Sequence, residues 1–123
     1  MNVNYSVDFC GGHVHIVHHE PIVINPELGD RMWPEIEKAC RQHACNKVLV
    51  EATVEARNVD TIDVFEAGTT VADLSPRPIL AFCFHGREPD ELTEFFETVA
   101  RNRGVNVEFF TDCDSAKRWL ASQ

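Results

Sequence analysis

The sequence predicts an α/β fold: a mixed, mostly parallel sheet of about five strands, opened by an N-terminal β-hairpin and packed with about four helices. Three observations carry this expectation. Residues 78–84, Pro-Ile-Leu-Ala-Phe-Cys-Phe, form a nearly unbroken apolar run, as in a strand covered on both faces. Beyond Pro89, apolar residues recur at Leu92, Phe95, Phe96 and Val99, the stripe of a helix facing a core. Gly104 then stands where a left-handed residue closes that helix, and residues 105–110 read as the next strand.

The remaining elements follow in order. Residues 4–19 read as a hairpin around Gly11-Gly12, since both glycines accept positive φ. With those two as the loop, Cys10 faces His13, Asp8 faces His15 and Ser6 faces Val17 on one side. Phe9 faces Val14, Val7 faces Ile16 and Tyr5 faces His18 on the other. The second side is largely apolar and is expected on the core; the first is expected to be solvent-facing or functional. Residues 21–24 continue as an extended segment or lead into a loop, and Asn25-Pro26 reads as a turn or helix start. A helix follows with Trp33, Ile36, Ala39, Cys40 and His43 on one stripe. Because proline disrupts a helix interior, its regular part is expected from about Pro34 to residue 44, with residues 26–32 as a separate turn. Residues 47–53 read as a strand. Asp60 or Thr61 caps a helix with Ile62, Phe65, Ala67 or Thr69, and Ala72 inward. Ser75-Pro76-Arg77-Pro78 breaks that helix, and Asp112 caps a last one carrying Ala116, Trp119 and Leu120. The order ββαβαβαβα has no internal repeat or linker, so residues 1–123 are expected to form a single domain.

Eleven basic against twenty acidic residues give a formal charge of −9. Nucleic acid and anionic membrane surfaces both call for basic residues, so neither is expected as a partner. No apolar stretch approaches the ~20 residues of a spanning helix, and the N-terminus lacks a basic-then-apolar leader. Membrane insertion is therefore not expected. Five cysteines, scattered and odd in number, fit free thiols in a reducing cytoplasm better than a disulfide framework.

Two groups of residues have the chemistry of a site. In the hairpin, Asp8, Cys10, His13 and His15 share one face, and carboxylate, thiolate and imidazole are the ligands zinc prefers. The same pattern also describes the polar side of an edge strand with exposed histidines. At the carboxyl ends of the parallel strands, Thr53, His85, Gly86, Arg87, Thr111 and Asp112 are expected to gather, where open α/β sheets hold ligands. There His85-Gly86-Arg87 leads into a helix N-terminus suited to an anion; alternatively the loop is solvated and Arg87 pairs with Glu88 or Asp90. Cys40 and Cys45 match no metal or redox motif. The aromatics Trp33, Phe95, Phe96, Phe109, Phe110 and Trp119 are read as core. No nucleophile elbow, phosphate loop or acid–base pair stands out, and no cofactor is called for.

Cys45-Asn46-Lys47-Val48-Leu49-Val50, Asp63-Val64-Phe65-Glu66, the run Phe95 to Gly104, and the ending Phe109-Phe110-Thr111-Asp112 with Ala116 and Trp119-Leu120 resemble the anti-sigma-factor-antagonist group, the STAS or SpoIIAA-like domains. The likeness spans about residues 30–121, is closest to small stand-alone bacterial members, and rests mostly on packing residues. It implies a SpoIIAA-like fold and a non-catalytic regulatory or protein-interaction domain with an unidentified protein partner, and a homodimer is compatible with it. In the antagonist branch a serine or threonine at the start of the second helix is phosphorylated. Thr61 lies near that position, one residue further along and without the glycine-rich continuation, and the alternative is that Asp60 and Thr61 simply cap the helix. Because the related Sec14-type domains transfer lipids, a carrier of an anionic or lipid-like molecule is a second functional expectation. A metal-dependent enzyme built on Asp8, Cys10, His13 and His15 is a third.

Overall fold

The structure, a computed structural model, describes residues 5–123 apart from the side chain of Cys10. In chain order its elements are β1 (Tyr5–Cys10), β2 (His13–His18), β3 (Ile22–Ile24), α1 (Pro26–His43), β4 (Lys47–Arg57), α2 (Thr61–Ala72), β5 (Ile79–His85), α3 (Glu91–Asn102), β6 (Asn106–Phe110) and α4 (Cys113–Ala121). The expected α/β architecture is present, with a mixed sheet of six strands in the order β1-β2-β4-β5-β6 and β3 paired to β4. Among the described residues only the β1–β2 pair is antiparallel. Its register is the one the Gly11-Gly12 loop dictates, with Cys10 opposite His13, Asp8 opposite His15 and Phe9 opposite Val14. Gly11 and Gly12 take φ of 64° and 84°, values a side chain would strain. Among the described residues no helix is long and apolar enough to cross a membrane.

The two faces of the sheet are covered unequally. On one, Val14, Ile16, Val48, Val50, Leu80, Phe82 and Val107 meet α1, α2 and α3 through Trp33, Ile36, Val64, Val71 and Phe96. On the other, Leu49, Ala81 and Cys83 meet only α4, through Ala116 and Leu120. Alternation along β4 and β5 produces this division, because successive side chains point to opposite faces.

Each helix begins on an Asn or Asp that satisfies an orphan backbone donor. Asn25 accepts from Leu28 N, Asp60 from Asp63 N and Asp112 from Ser115 N, each at 2.8 Å. Asp90 accepts from Leu92 N and Thr93 N at 3.1 and 3.2 Å. Gly104 closes α3 at φ 90°.

The structure departs from the sequence-based expectation at Phe9, which lies on the hairpin side expected on the core yet is 47% exposed, and in four further places. First, α1 runs unbroken through Pro34. Pro34 lies on the exposed side, so the hydrogen bond it forfeits faces water while Trp33 and Ile36 stay packed. Second, residues 22–24 are a true strand, and β4 continues beyond residue 53 to receive it. Third, Ile62 and Phe65 point outward from α2, at 68% and 43% exposure. The inward stripe is Val64, Gly68, Val71 and Ala72. Fourth, His13 belongs to the polar side of the hairpin yet is buried.

Gly68 explains the position of α2. A Cβ there would lie 2.6 Å from Val99 Cγ1 and 2.9 Å from Val99 Cβ on α3. Helix propensity favours alanine over glycine by about 1 kcal/mol, whereas overpacking costs about 1–3 kcal/mol. Gly68→Ala is therefore expected to lower stability by roughly 1 kcal/mol in urea unfolding. Combining it with Val99→Ala removes the clash, so the double variant should cost less than the sum of the two singles. Strict additivity would deny the contact.

Candidate functional site

Two sites lie back to back on β5. The first is a polar cluster on the α4 face. There β2 contributes His15, β4 Glu51, β5 Cys83 and His85, and the first turn of α4 Cys113. The parallel register sets Glu51 beside Cys83 and Thr53 beside His85. Glu51 is the hub: His15 Nε2 lies 2.9 Å from its Oε1 and His85 Nε2 3.0 Å from its Oε2. An ionised carboxylate only accepts, so both imidazoles donate through Nε2. Burial pushes the Glu51 carboxyl up, but hydrogen bonds from His85, Cys113 and His15 outweigh it and hold the group below its ordinary value. Cys113 Sγ is 2.8 Å from Cys83 Sγ, which in turn is 3.8 Å from His85 Nε2. Burial, then the hydrogen bonds with Cys83 and Glu51, pushes the Cys113 thiol well up; burial does the same to Cys83.

This cluster includes part of the expected hairpin site and redirects it. His15 turns to Glu51 on β4 rather than closing a ring within the hairpin. The His13 ring lies beside it, tilted by 49°, with ring centroids 6.1 Å apart. Its Nε2 is buried without a partner, and burial followed by the nearby His15 charge lowers its pKa. Asp8 is exposed. The side chain of Cys10 lies outside the described residues.

The second site is an apolar cavity of about 180 Å³ between the sheet and α1–α3. Its floor is aromatic: Phe82 lies 4.9 Å from Phe109 and 5.1 Å from Phe84, centroid to centroid, and Phe96 joins them. Ile22, Ile24, Leu28, Val64, Ala67 and Leu92 form walls. At the mouth, Arg57 grips Asp90 with two bonds, Nη1 to Oδ1 at 2.9 Å and Nη2 to Oδ2 at 2.7 Å. Chiefly through Arg57, the Asp90 carboxyl is held down at about 2. Asp30, Asp63 and Glu66 complete an acidic rim.

The six residues expected at the strand ends do not line this cavity. Thr53 and His85 are register partners on the α4 face. Gly86 turns the chain at φ 87°, where a Cβ would stand 3.4 Å from Val54 O. Arg87 approaches Asp90 at 4.0 Å. The α3 backbone donors an anion would need are already bonded to Asp90. Thr111 leads into Asp112, which caps α4 by accepting from Ser115 N and Oγ. Thr61 is the exposed first residue of α2. The capping box of Asp60 and Asp63 surrounds its backbone with negative charge. The cavity's own residues had one sequence signal, the apolar positions of 22–24 just ahead of the Asn25 cap.

Asp90 ties the mouth together, capping α3 and holding Arg57. A carboxyl depressed in the folded state contributes stability above its unfolded value and loses it as acid titrates the folded one. Here that window runs from 3.8 down to about 2. Asp90→Ala should lower unfolding free energy near neutral pH by roughly 1–2 kcal/mol and flatten the fall of stability within that window. Urea titrations of both proteins across acid pH measure this, and equal slopes would refute the coupling.

No protein-family model matches this chain, and no curated protein is significantly similar to it in sequence.

Proposed function

We propose that this protein binds and carries, without turnover, a small neutral apolar molecule: a single aromatic ring or a short acyl chain. One observation carries the reading, the aromatic-floored cavity of about 180 Å³ at the carboxyl ends of β4–β6. A dry cavity of about 150 Å³ lined by Leu, Ile and Phe suffices for benzene, so the volume is enough for one ring. The rim favours a neutral over an anionic ligand. Arg57 is committed to Asp90, and Asp30, Asp63 and Glu66 would repel an acid. Of the two ligand classes expected from sequence, the lipid-like one therefore fits better than the anionic one. The free thiols of Cys40, Cys45, Cys83 and Cys113 support a reducing, cytoplasmic setting.

A second reading, the regulatory interaction module suggested by the resemblance to STAS domains, is favoured by α2. Its outer face carries Ile62 and Phe65 into solvent, with the Arg103 guanidinium 5.2 Å over the Phe65 ring. Its inner face supplies Val64 and Ala67 to the cavity. One helix thus serves both readings, and a partner or a second copy docked there would sit one helix away from the ligand.

Toluene titrated into the full chain should bind saturably with a Kd on the order of 0.1–1 mM and raise the melting temperature. Ala67→Phe, which fills the cavity, should abolish that shift while keeping the fold. Equal toluene binding by both proteins would defeat the carrier reading. For the second reading, sedimentation equilibrium should detect self-association that Ile62→Glu removes; a strictly monomeric wild type excludes the dimer form.

A further inference from the structure

We propose that Cys83, His85 and Cys113, with Glu51 as the fourth ligand, form a tetrahedral site for a borderline-soft divalent cation, zinc above all. The site is separate from the apolar cavity, lying on the other face of β5, and does not rest on the carrier reading. The ligand atoms of Cys83, His85 and Cys113 all lie within 4.8 Å of one another, whereas the Glu51 carboxylate, 3.0 Å from His85 Nε2, stands outside that set and would have to swing toward the sulfurs to join it. Tetrahedral zinc, with bonds of about 2.3 Å to sulfur and about 2.0–2.1 Å to nitrogen, sets ligand atoms about 3.3–3.8 Å apart. Cys83 Sγ and His85 Nε2 are already at 3.8 Å. His85 Nε2 and Glu51 Oε2, at 3.0 Å, need to spread only slightly. The two sulfurs, at 2.8 Å, must part by about 1 Å. That movement falls on Cys113, which is partly exposed in the first turn of a nine-residue helix rather than inside the sheet.

The donor set selects the metal. Two thiolates and an imidazole favour zinc over magnesium or calcium, which take oxygen ligands. Glu51 adds a carboxylate whose other oxygen is held by His15 Nε2 at 2.9 Å. His15 is therefore a positioning residue, fixing the carboxylate that would meet the metal. The hairpin contributes this one outer contact.

Cobalt(II) titration of the reduced, tag-free full chain tests the assignment, since a tetrahedral thiolate site announces itself optically. Expected are one Co²⁺ per chain, near-ultraviolet thiolate-to-cobalt charge transfer and strong visible ligand-field bands, all displaced by Zn²⁺. Cys113→Ser should weaken binding at least about 100-fold and reduce the charge transfer; His85→Gln and His15→Gln should each weaken it about 10–100-fold. Cys45→Ser and Asp8→Asn should change nothing. Circular dichroism confirms folding, and serine is well tolerated at the start of a helix; should Cys113→Ser unfold, His85→Gln, on the sheet, tests the site independently. Absence of thiolate bands in the reduced protein overturns the proposal. So do bands of undiminished intensity and affinity in Cys113→Ser, binding that vanishes with Asp8→Asn instead, or a Cys83–Cys113 disulfide that persists under reducing conditions with zinc present.

Discussion

The parallel pairing of β4 with β5, running from Lys47 opposite Ile79 to Thr53 opposite His85, holds both sites in place. Side chains alternate along these central strands, so one register decides two environments. Val50 and Phe82 face three helices, while Glu51 and Cys83 face α4. A slip of one residue would send a carboxylate into the aromatic core and bring phenylalanines out toward the polar face. An unpaired buried carboxylate costs several kcal/mol, against roughly 1.5–3 kcal/mol gained by burying one large apolar side chain. The register is thus enforced from both faces at once.

On the polar face the governing balance is desolvation against hydrogen bonding. Glu51 is one-quarter exposed as a side chain, enough to weaken its hydration but not to drown its partners in water. Two imidazoles and a thiol converge on it, and together they outweigh the effect of burial. On the opposite face the balance is simpler. The cavity is walled mostly by apolar side chains, and at its mouth Arg57 is paired with Asp90 and Asp63 with the α2 cap.

Local chemistry made much of the fold legible. Gly11-Gly12 specified the hairpin register residue by residue, and Asn25, Asp60 and Asp112 marked helix starts that the structure bears out. The buried strand stood out because β5 is covered on both sides. Where local rules failed, tertiary packing overrode them. Pro34 is tolerated because its missing donor faces solvent. Ile62 and Phe65 yield the inner face of α2 to Val64 and Gly68 because only glycine lets α3 approach so closely. The sites themselves were only half visible. His15 and His85 could each be singled out, but neither pointed to Glu51. Those contacts span 36 and 34 residues, and the two cysteines stand 30 apart. No spacing rule connects residues joined only by crossovers of a parallel sheet.

The cluster's position follows from how much sheet one short helix can cover. Five strands side by side at about 4.8 Å span roughly 19 Å, whereas a helix with its side chains is about 10 Å across. Three helices suffice for one face; α4 alone, nine residues long, does not for the other. It packs on β4, β5 and β6 through Leu49, Ala81 and Phe110, leaving the β1–β2 side without a helix among the described residues. Apolar side chains beyond that cover would lie in water, and charged ones beneath it would lack hydration. The strip along the edge of α4 is where half-buried polar groups are least costly, provided they pair. Glu51, His15, His85 and Cys113 occupy that strip.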